Sequence, residues 1–422
     1  MDQPVIALKI DVDTWTGTRD GVPRLLEILE RFGIKGTFYF SMGPDNSGKA
    51  IRRIFTRKGF LKKMLRTRAP SMYGIRTLLS GTLLPAPIIA KSFPEILART
   101  EKMGHEAGIH CWDHVEWHDH LPKMGKETVS AELNRACRLF EEIFGHKAVS
   151  TAAPGWTMSP VSLEVQDSLS LSYCSDARGA APFFPVVEGR RFATLQVPTT
   201  WPTMDEILGE NGITMENAND HYLSLLRPGL NVHTIHAEME GKAVDMLFVD
   251  LLERLRHLDV RFITLGEAAA EFSSSAPDHL MSMGEIAGRA GLVALQGSGC
   301  ERTRRIGEPE TGSEIRFSVS FQKRYLKEYF LFHSLARYFL VSRHDLVYLK
   351  FILEAYEGLA VLSTIEREEA IVRIGYPHFS AGDVDALLLA LSAEIEMTEV
   401  PIPAGYADGL PQLPIRKVTQ HA

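Results

Sequence analysis

The chain has 422 residues, long enough for two or three domains and a large buried core. Hydrophobic residues make up 45% and charged residues 23%, close to the globular average, which excludes collagen-like, coiled-coil and wholly disordered readings. Lys and Arg number 46 against 53 Asp and Glu, a net charge of −7, so general nucleic-acid binding is not expected.

Four cysteines, Cys111, Cys137, Cys174 and Cys300, contain no CxxC pair and make neither a disulfide framework nor a thiolate zinc site. The opening MDQPVIALKIDVDT lacks the basic and apolar regions of a signal peptide. No apolar run is long enough to span a bilayer. The expectation is a soluble, cytoplasmic protein.

Val5, Ala7 to Ile10 and Val12 read as a buried strand that ends in acidic residues. Gly21-Val-Pro opens a helical pattern with Leu25, Leu26, Ile28 and Leu29 on one side, closing at Gly33. Further strands are expected at 36–40, 106–110, 192–198, 230–235 and 260–265, with helices at 129–144 and 243–257 between them. Strands alternating with helices predict a parallel α/β sheet or barrel, whose functional residues gather at the C-terminal strand ends.

Residues 46–94 interrupt this alternation. They hold Lys49, Arg52, Arg53, Arg57, Lys58, Lys62, Lys63, Arg66, Arg68, Arg76 and Lys91 and no acid, interleaved with Phe55, Phe60 and Leu61. A basic amphipathic insertion of this kind predicts contact with an anionic lipid surface; the alternatives are a solvated basic face or a polyanion site.

Composition shifts at Phe272-Ser-Ser-Ser, and residues 273–318, rich in Gly, Ser and charge, are read as a linker after a first domain at 1–272. The remaining 319–422 show strand, helix, two short strands, helix and a final strand. That β-α-β-β-α-β order predicts a small ferredoxin-like α+β domain.

Asp11-Val-Asp13 closes the first strand, and two-residue alternation points both carboxylates to one side. Such a pair can divide labour, one binding a metal and the other taking a proton from water; the alternative is a pair of turn residues. His110 and His114 follow another strand at i, i+4 spacing, which places two imidazoles on one helical face. Two histidines and one carboxylate leave coordination positions open, the catalytic arrangement, and suit zinc, manganese or cobalt. His105, His118 and His120 are read as surface or supporting residues. His233 and His236 end a late strand on opposite faces, and His236, nearer the strand end, is the candidate general acid for a leaving amine. Pro154-Gly-Trp156 reads as a substrate-shaping loop, and Asp176 with Arg178 as a charged pair; either can also be an ordinary turn.

The order Asp-x-Asp, GHEAGIHCWDH, Pro-Gly-Trp and a late His strand resembles the NodB-type polysaccharide deacetylase superfamily. The stretches LKIDVDTWTGTRDGVPRLLEIL, RAPSMYGIRTLLSGT, SDARG and TIHAEMEG narrow the resemblance to the 4-deoxy-4-formamido-L-arabinose-phosphoundecaprenol deformylases, over about residues 5–270. The resemblance implies an irregular (β/α)7 barrel and one divalent metal ion. It implies Asp11 as catalytic base, Asp13, His110 and His114 as metal ligands, and His236 as general acid; Trp156 and Asp176 are read, from the residues alone, as substrate or supporting residues. It implies metal-dependent hydrolysis of an N-formyl group on an undecaprenyl-phosphate-linked amino sugar, at the cytoplasmic face of the inner membrane. An N-acetyl sugar deacetylase and a non-catalytic lipid–sugar binder are the alternatives. One departure stands out. Many superfamily members carry an Arg where this chain has Ala152, and there it orients the catalytic base.

Overall fold

The computed structural model describes residues 3–52, 80–82, 85–289, 291–297, 334–355, 360–366, 370–377, 381–392 and 394–401. They form two compact units, the first ending with the 291–297 stretch and the second beginning at 334.

The first unit opens with β1 (Pro4–Val12), buried from Val5 onward. The strand carries a nearly continuous apolar run because both its faces are covered. Alternation sends Val5, Ala7, Lys9 and Asp11 to one side. Val5 and Ala7 pack with Tyr39, Tyr173, Leu195, Val197 and Val232 in one buried apolar cluster. Further along the same side the strand turns polar.

A π-helical turn (Gly17–Gly21) leads into α1 (Val22–Phe32), which Pro23 opens and Gly33 closes in the left-handed conformation at φ 68°. There follow β2 (Thr37–Ser41), α2 (Ile89–Ser92), α3 (Pro94–Lys102), β3 (Glu106–Cys111), α4 (His114–His120) and α5 (Lys126–Phe144). The next elements are β4 (Ser150–Thr151), α6 (Pro160–Ser168), β5 (Tyr173–Cys174), β6 (Phe184–Val187), β7 (Arg190–Arg191) and β8 (Leu195–Gln196). The round finishes with α7 (Met204–Ile207), α8 (Ala218–Ser224), β9 (Gly229–His236), α9 (Asp245–Arg256), β10 (Arg261–Ile263) and α10 (Leu265–Phe272).

β1 lies between β9 on one edge and, on the other, β10 at Val5–Ala7 followed by β2 at Lys9–Val12. From β2 the sheet continues in parallel through β3, β4 and β5 to β8. Beyond β8 the chain meets β9 again: the N–H groups of Thr200 and Trp201 donate to the carbonyl of Val232. The N–H of Val232 donates to Thr200 Oγ1 at 2.8 Å. These bonds draw the curved sheet round into the expected irregular barrel. β4 and β5, two residues each, had no periodic signal to find, and the strand expected at 192–198 is paired only at Leu195–Gln196.

The linker expected over 273–318 needs correction in its first part. β11 (Asp278–Gly284) and β12 (Val293–Gln296) form an antiparallel pair, and β11 joins β6 in parallel in a second sheet with β7. Met281 and Ala294 are buried with Phe183 and Phe192. In β11 only Met281 is fully buried and β12 is four residues long, so neither carries a periodic apolar run that announces a strand. The rest of that span, 298–318, lies outside the described residues.

In the second unit, β13 (Ser334–Val341), α11 (Leu346–Ala355), β14 (Val361–Glu366), β15 (Ile371–Pro377), α12 (Ala381–Ser392) and β16 (Met397–Val400) follow the expected order. The sheet order β14-β15-β13-β16, antiparallel throughout, is the ferredoxin-like arrangement. Leu335, Phe339, Val372, Ile374, Leu349, Leu353, Val384 and Leu388 form its core.

The basic segment 46–94 is described only at 46–52, 80–82 and 85–94, so its expected amphipathic helix falls outside the described residues. Among the described residues no helix is long and apolar enough to cross a membrane.

Candidate active site

Asp13 follows the C-terminal end of β1, His110 lies near the end of β3, and His114 begins α4, so the two imidazoles meet across a strand-to-helix junction and not on the one helical face expected from their spacing. The side chain of Asp113 caps α4 by accepting the N–H groups of Val115 and Glu116, each at 3.1 Å. This cap fixes the helical turn that presents His114. Nε2 of His110 lies 3.2 Å from Asp13 Oδ1, and Nε2 of His114 lies 3.5 Å from Asp13 Oδ2. One ligand atom from each of the three falls within 4.8 Å of the others, the only such group among the described residues. Burial disfavours the Asp13 charge, yet His114 and His110 overcome it and hold the carboxyl well below the usual carboxylate range.

Asp11 stands beside this group, its Oδ1 4.0 Å from His110 Nδ1. Oδ1 of Asp11, Oδ1 of Asp13 and Nδ1 of His110 are all buried without a hydrogen-bond partner. Buried acceptors left without donors are what a cation would satisfy, so the donor set fits one divalent metal ion. β9 pairs with β1 so that His236 sits opposite Asp11. Burial works against protonation of His236, but Asp13, Asp205, Asp11 and Glu240 outweigh it and raise its pKa. The cluster therefore gathers a buried carboxylate, a trio whose atoms could hold a metal ion and an imidazole of raised pKa at one strand-end rim. That combination is the equipment of amide hydrolysis.

The polysaccharide deacetylase family matches residues 1–174. The chain is 38% identical over 295 residues to a Shewanella sediminis protein named probable 4-deoxy-4-formamido-L-arabinose-phosphoundecaprenol deformylase ArnD, covering 69% of this chain and 95% of the relative. A protein of the same name from Wigglesworthia glossinidia brevipalpis is 32% identical over 283 residues, covering 66% and 98%. The chain belongs to the polysaccharide deacetylase family. A crystal structure of a probable polysaccharide deacetylase from Pseudomonas aeruginosa PAO1 is 13% identical, with a TM-score of 0.45 over 64% of this chain and 91% of that one. Residues 339–395, in the second unit, match a family described as a domain of unknown function.

In this polysaccharide deacetylase family member, several residues that spacing alone did not single out hold the site. Glu238 is buried, and its Oε1 accepts the N–H groups of Asp13 at 3.0 Å and Thr14 at 2.9 Å and the hydroxyl of Thr14 at 2.8 Å. Burial and then the charge of Asp13 push its pKa up to about 7. Glu240 accepts the backbone N–H of His236 at 2.8 Å and fixes the end of β9. The turns carrying these residues meet through glycines. A Cβ on Gly17 would lie 1.9 Å from Glu238 Oε1, and one on Gly21 would lie 2.0 Å from the Ala237 carbonyl oxygen. Lys9, two residues before Asp11, is buried against it in an ion pair of 2.8 Å. A lysine inside an apolar strand was the signal available in the sequence.

Trp156 is buried, with its indole N–H donating to Thr199 Oγ1 at 3.1 Å. The cations of Lys9, Arg178 and Arg289 lie 5.1, 4.7 and 4.7 Å from its ring. It is thus a packing post under the rim and not an exposed wall. Arg289, from the β11–β12 connection, has no counterpart in the sequence reading. Asp176 and Arg178 are not a pair: Arg178 binds Glu206 at 3.0 Å. Asp176 accepts the N–H of Ala153 at 2.7 Å and the side-chain amides of Gln166 at 2.8 Å and Gln196 at 3.2 Å. It anchors the Pro-Gly-Trp loop by its backbone.

The other histidines separate cleanly. His233 is buried against the rings of Tyr222 and Trp201, at 4.6 and 5.3 Å. His105 is buried away from the rim, where its Nδ1 accepts the N–H of Gly36 at 3.2 Å. His120 is exposed. His118 is one helical turn beyond His114, edge-on to it at 6.1 Å, on the same side of α4.

Proposed function

We propose that this protein hydrolyses the N-formyl group of 4-deoxy-4-formamido-L-arabinose-phosphoundecaprenol, giving formate and the aminoarabinose lipid. The reading is carried by the gathering of Asp11, Asp13, His110, His114 and His236 at one rim, in a chain 38% identical to a protein named for that reaction. Asp13, His110 and His114 would hold one divalent cation, zinc, manganese or cobalt. Such a cation, when bound, polarises a carbonyl oxygen and acidifies water.

Asp11 offers its unpartnered Oδ1 to the proton of the water that attacks the formyl carbon. The oxygen of that water forms the new bond to carbon. His236 gives its proton to the sugar nitrogen as the carbon–nitrogen bond breaks, which avoids expulsion of an amide anion. Formate leaves with the incoming oxygen, and the proton held by Asp11 replaces the one given by His236 through solvent exchange.

The basic segment 46–94 supports peripheral binding at the cytoplasmic face of the inner membrane. Its cations would meet lipid phosphate, with Phe55, Phe60 and Leu61 among acyl chains. The amine set free is positively charged at neutral pH; passed on to lipid A, it lowers the attraction of cationic antimicrobial peptides.

The deciding assay is formate release from the formamido-arabinose undecaprenyl lipid, with and without chelator, for wild type and His114→Ala. Chelator-sensitive formate that vanishes in the variant is the expected result. Acetate from an N-acetyl sugar, with no formate, would make the protein a deacetylase on the same site. A protein that takes up no metal would be a lipid–sugar binder.

A further inference from the structure

Lys9 has no exposed surface, yet it carries a charge at the centre of the barrel wall. Burying an ammonium is unfavourable unless a counter-charge meets it at good geometry. Its Nζ donates to Oδ2 of Asp11 at 2.8 Å, with both residues on the same side of β1. The rings of Trp156 and Tyr39 lie 5.1 and 5.9 Å from the ammonium and exclude water from the pair.

The two oxygens of Asp11 are therefore unequal. Oδ2 is held by Lys9, whereas Oδ1 has no hydrogen-bond partner and lies 4.0 Å from His110 Nδ1. A free carboxylate turns about its last torsion with little preference and exchanges its oxygens. A cation anchored two residues earlier on the same strand stops that rotation. The other buried acid near Lys9 is Asp176, whose oxygens are already taken by Ala153, Gln166 and Gln196. The ammonium thus serves Asp11. Trp156, beside the Lys9 ammonium, is itself held by Thr199, and the backbone of its loop by Asp176.

We infer that Lys9 is the positioning residue of the catalytic base: it pins Oδ2 of Asp11 so that Oδ1 alone faces the reacting water. The inference rests on the assignment of Asp11 as base in the proposed deformylation.

The test is a double-mutant cycle on formate release, using Lys9→Met, Asp11→Asn and the pair. Lys9→Met is expected to lower kcat by about 10²-fold, the size of effect that a misplaced reacting group produces, with KM within about twofold of wild type. In the Asp11→Asn background the same change is expected to cause no further loss. Full kcat in Lys9→Met, or losses that multiply in the pair, would overturn the inference while leaving the deformylase reading intact. Absence of formate from the wild type would instead sink that reading. The same cycle with Lys9→Gln, checked by thermal unfolding, keeps the test open where Lys9→Met lowers the yield of folded protein.

Discussion

Oε1 of Glu238 lies 3.0 Å from the backbone nitrogen of Asp13, joining the turn after β9 to the end of β1 across 225 residues of chain. The contact fixes the Asp13 backbone without touching its carboxylate, which stays directed at His110 and His114. Glu238→Ala removes three accepted hydrogen bonds at once. Supporting residues of this kind typically change metal affinity by about 10–100-fold. A weakening of that size is expected in calorimetric titration with zinc, and Glu238→Gln, which keeps an acceptor oxygen, is expected to lose less. Unchanged affinity in the alanine variant would refute the role.

Metal loading is expected to stabilise the first unit. A ligand that binds only the folded state adds about 2.7 kcal/mol at one hundred times its dissociation constant. The melting temperature should therefore climb with added zinc, manganese or cobalt and drop with chelator. His110→Ala and His114→Ala should each flatten that response. A melting temperature indifferent to metal in the wild type would count against the Asp13, His110 and His114 site.

Asp176 is expected to matter through the loop it holds. Asp176→Ala leaves the Ala153 N–H buried without an acceptor, a loss of about 1–3 kcal/mol. It also frees the loop that carries Trp156. Denaturant unfolding and formate kinetics should both suffer in Asp176→Ala, with a smaller effect in Asp176→Asn. Loss of stability with full kcat would confine Asp176 to the fold.

Acid should draw opposite responses from the buried histidines and the buried carboxyls. Burial pushes the pKa of His105 down to about 4 and that of His233 to about 3, from an ordinary value of 6.5. Between 6.5 and 4 the unfolded chain binds a proton that folded His105 refuses, so this histidine's contribution to unfolding free energy rises with pH, while Glu238 and Glu240, each raised to about 7, contribute with the opposite sign. The His105 contribution is complete above pH 6.5 and is lost on descent toward 4. His105→Gln, which retains an acceptor for Gly36, should remove this part of the pH dependence, leaving stability less dependent on rising pH than in the wild type. Melting curves from pH 7 to about 4 decide this, and an equal slope in variant and wild type would contradict it.

Charge reversal tests the lipid-facing role of segment 46–94. Arg52, Arg53, Lys62 and Lys63 changed to Glu should abolish association with anionic liposomes. Hydrolysis of a short, water-soluble formamido sugar should continue. Equal loss of both would show that these residues support the fold.

Much of this protein was legible in residue order. The Asp-x-Asp at the end of β1 and the opposed faces of His233 and His236 follow from the strand period, whereas His110 and His114, expected on one helical face, meet across a strand-to-helix junction. The ferredoxin-like order of the second unit was legible too, since long amphipathic segments announce themselves. Folding decided the rest. Which charge meets Lys9, what Glu238 holds and why Asp176 shuns Arg178 depend on barrel closure, which brings residues together from distant parts of the chain. The same holds for β11 and β12, whose place beside β6 gives strand geometry to a stretch with the composition of a linker. Local sequence fixes the direction in which a side chain points, through backbone periodicity. What it meets there is set by long-range pairing, where a buried charge or N–H must find its partner in whichever strand the fold lays beside it.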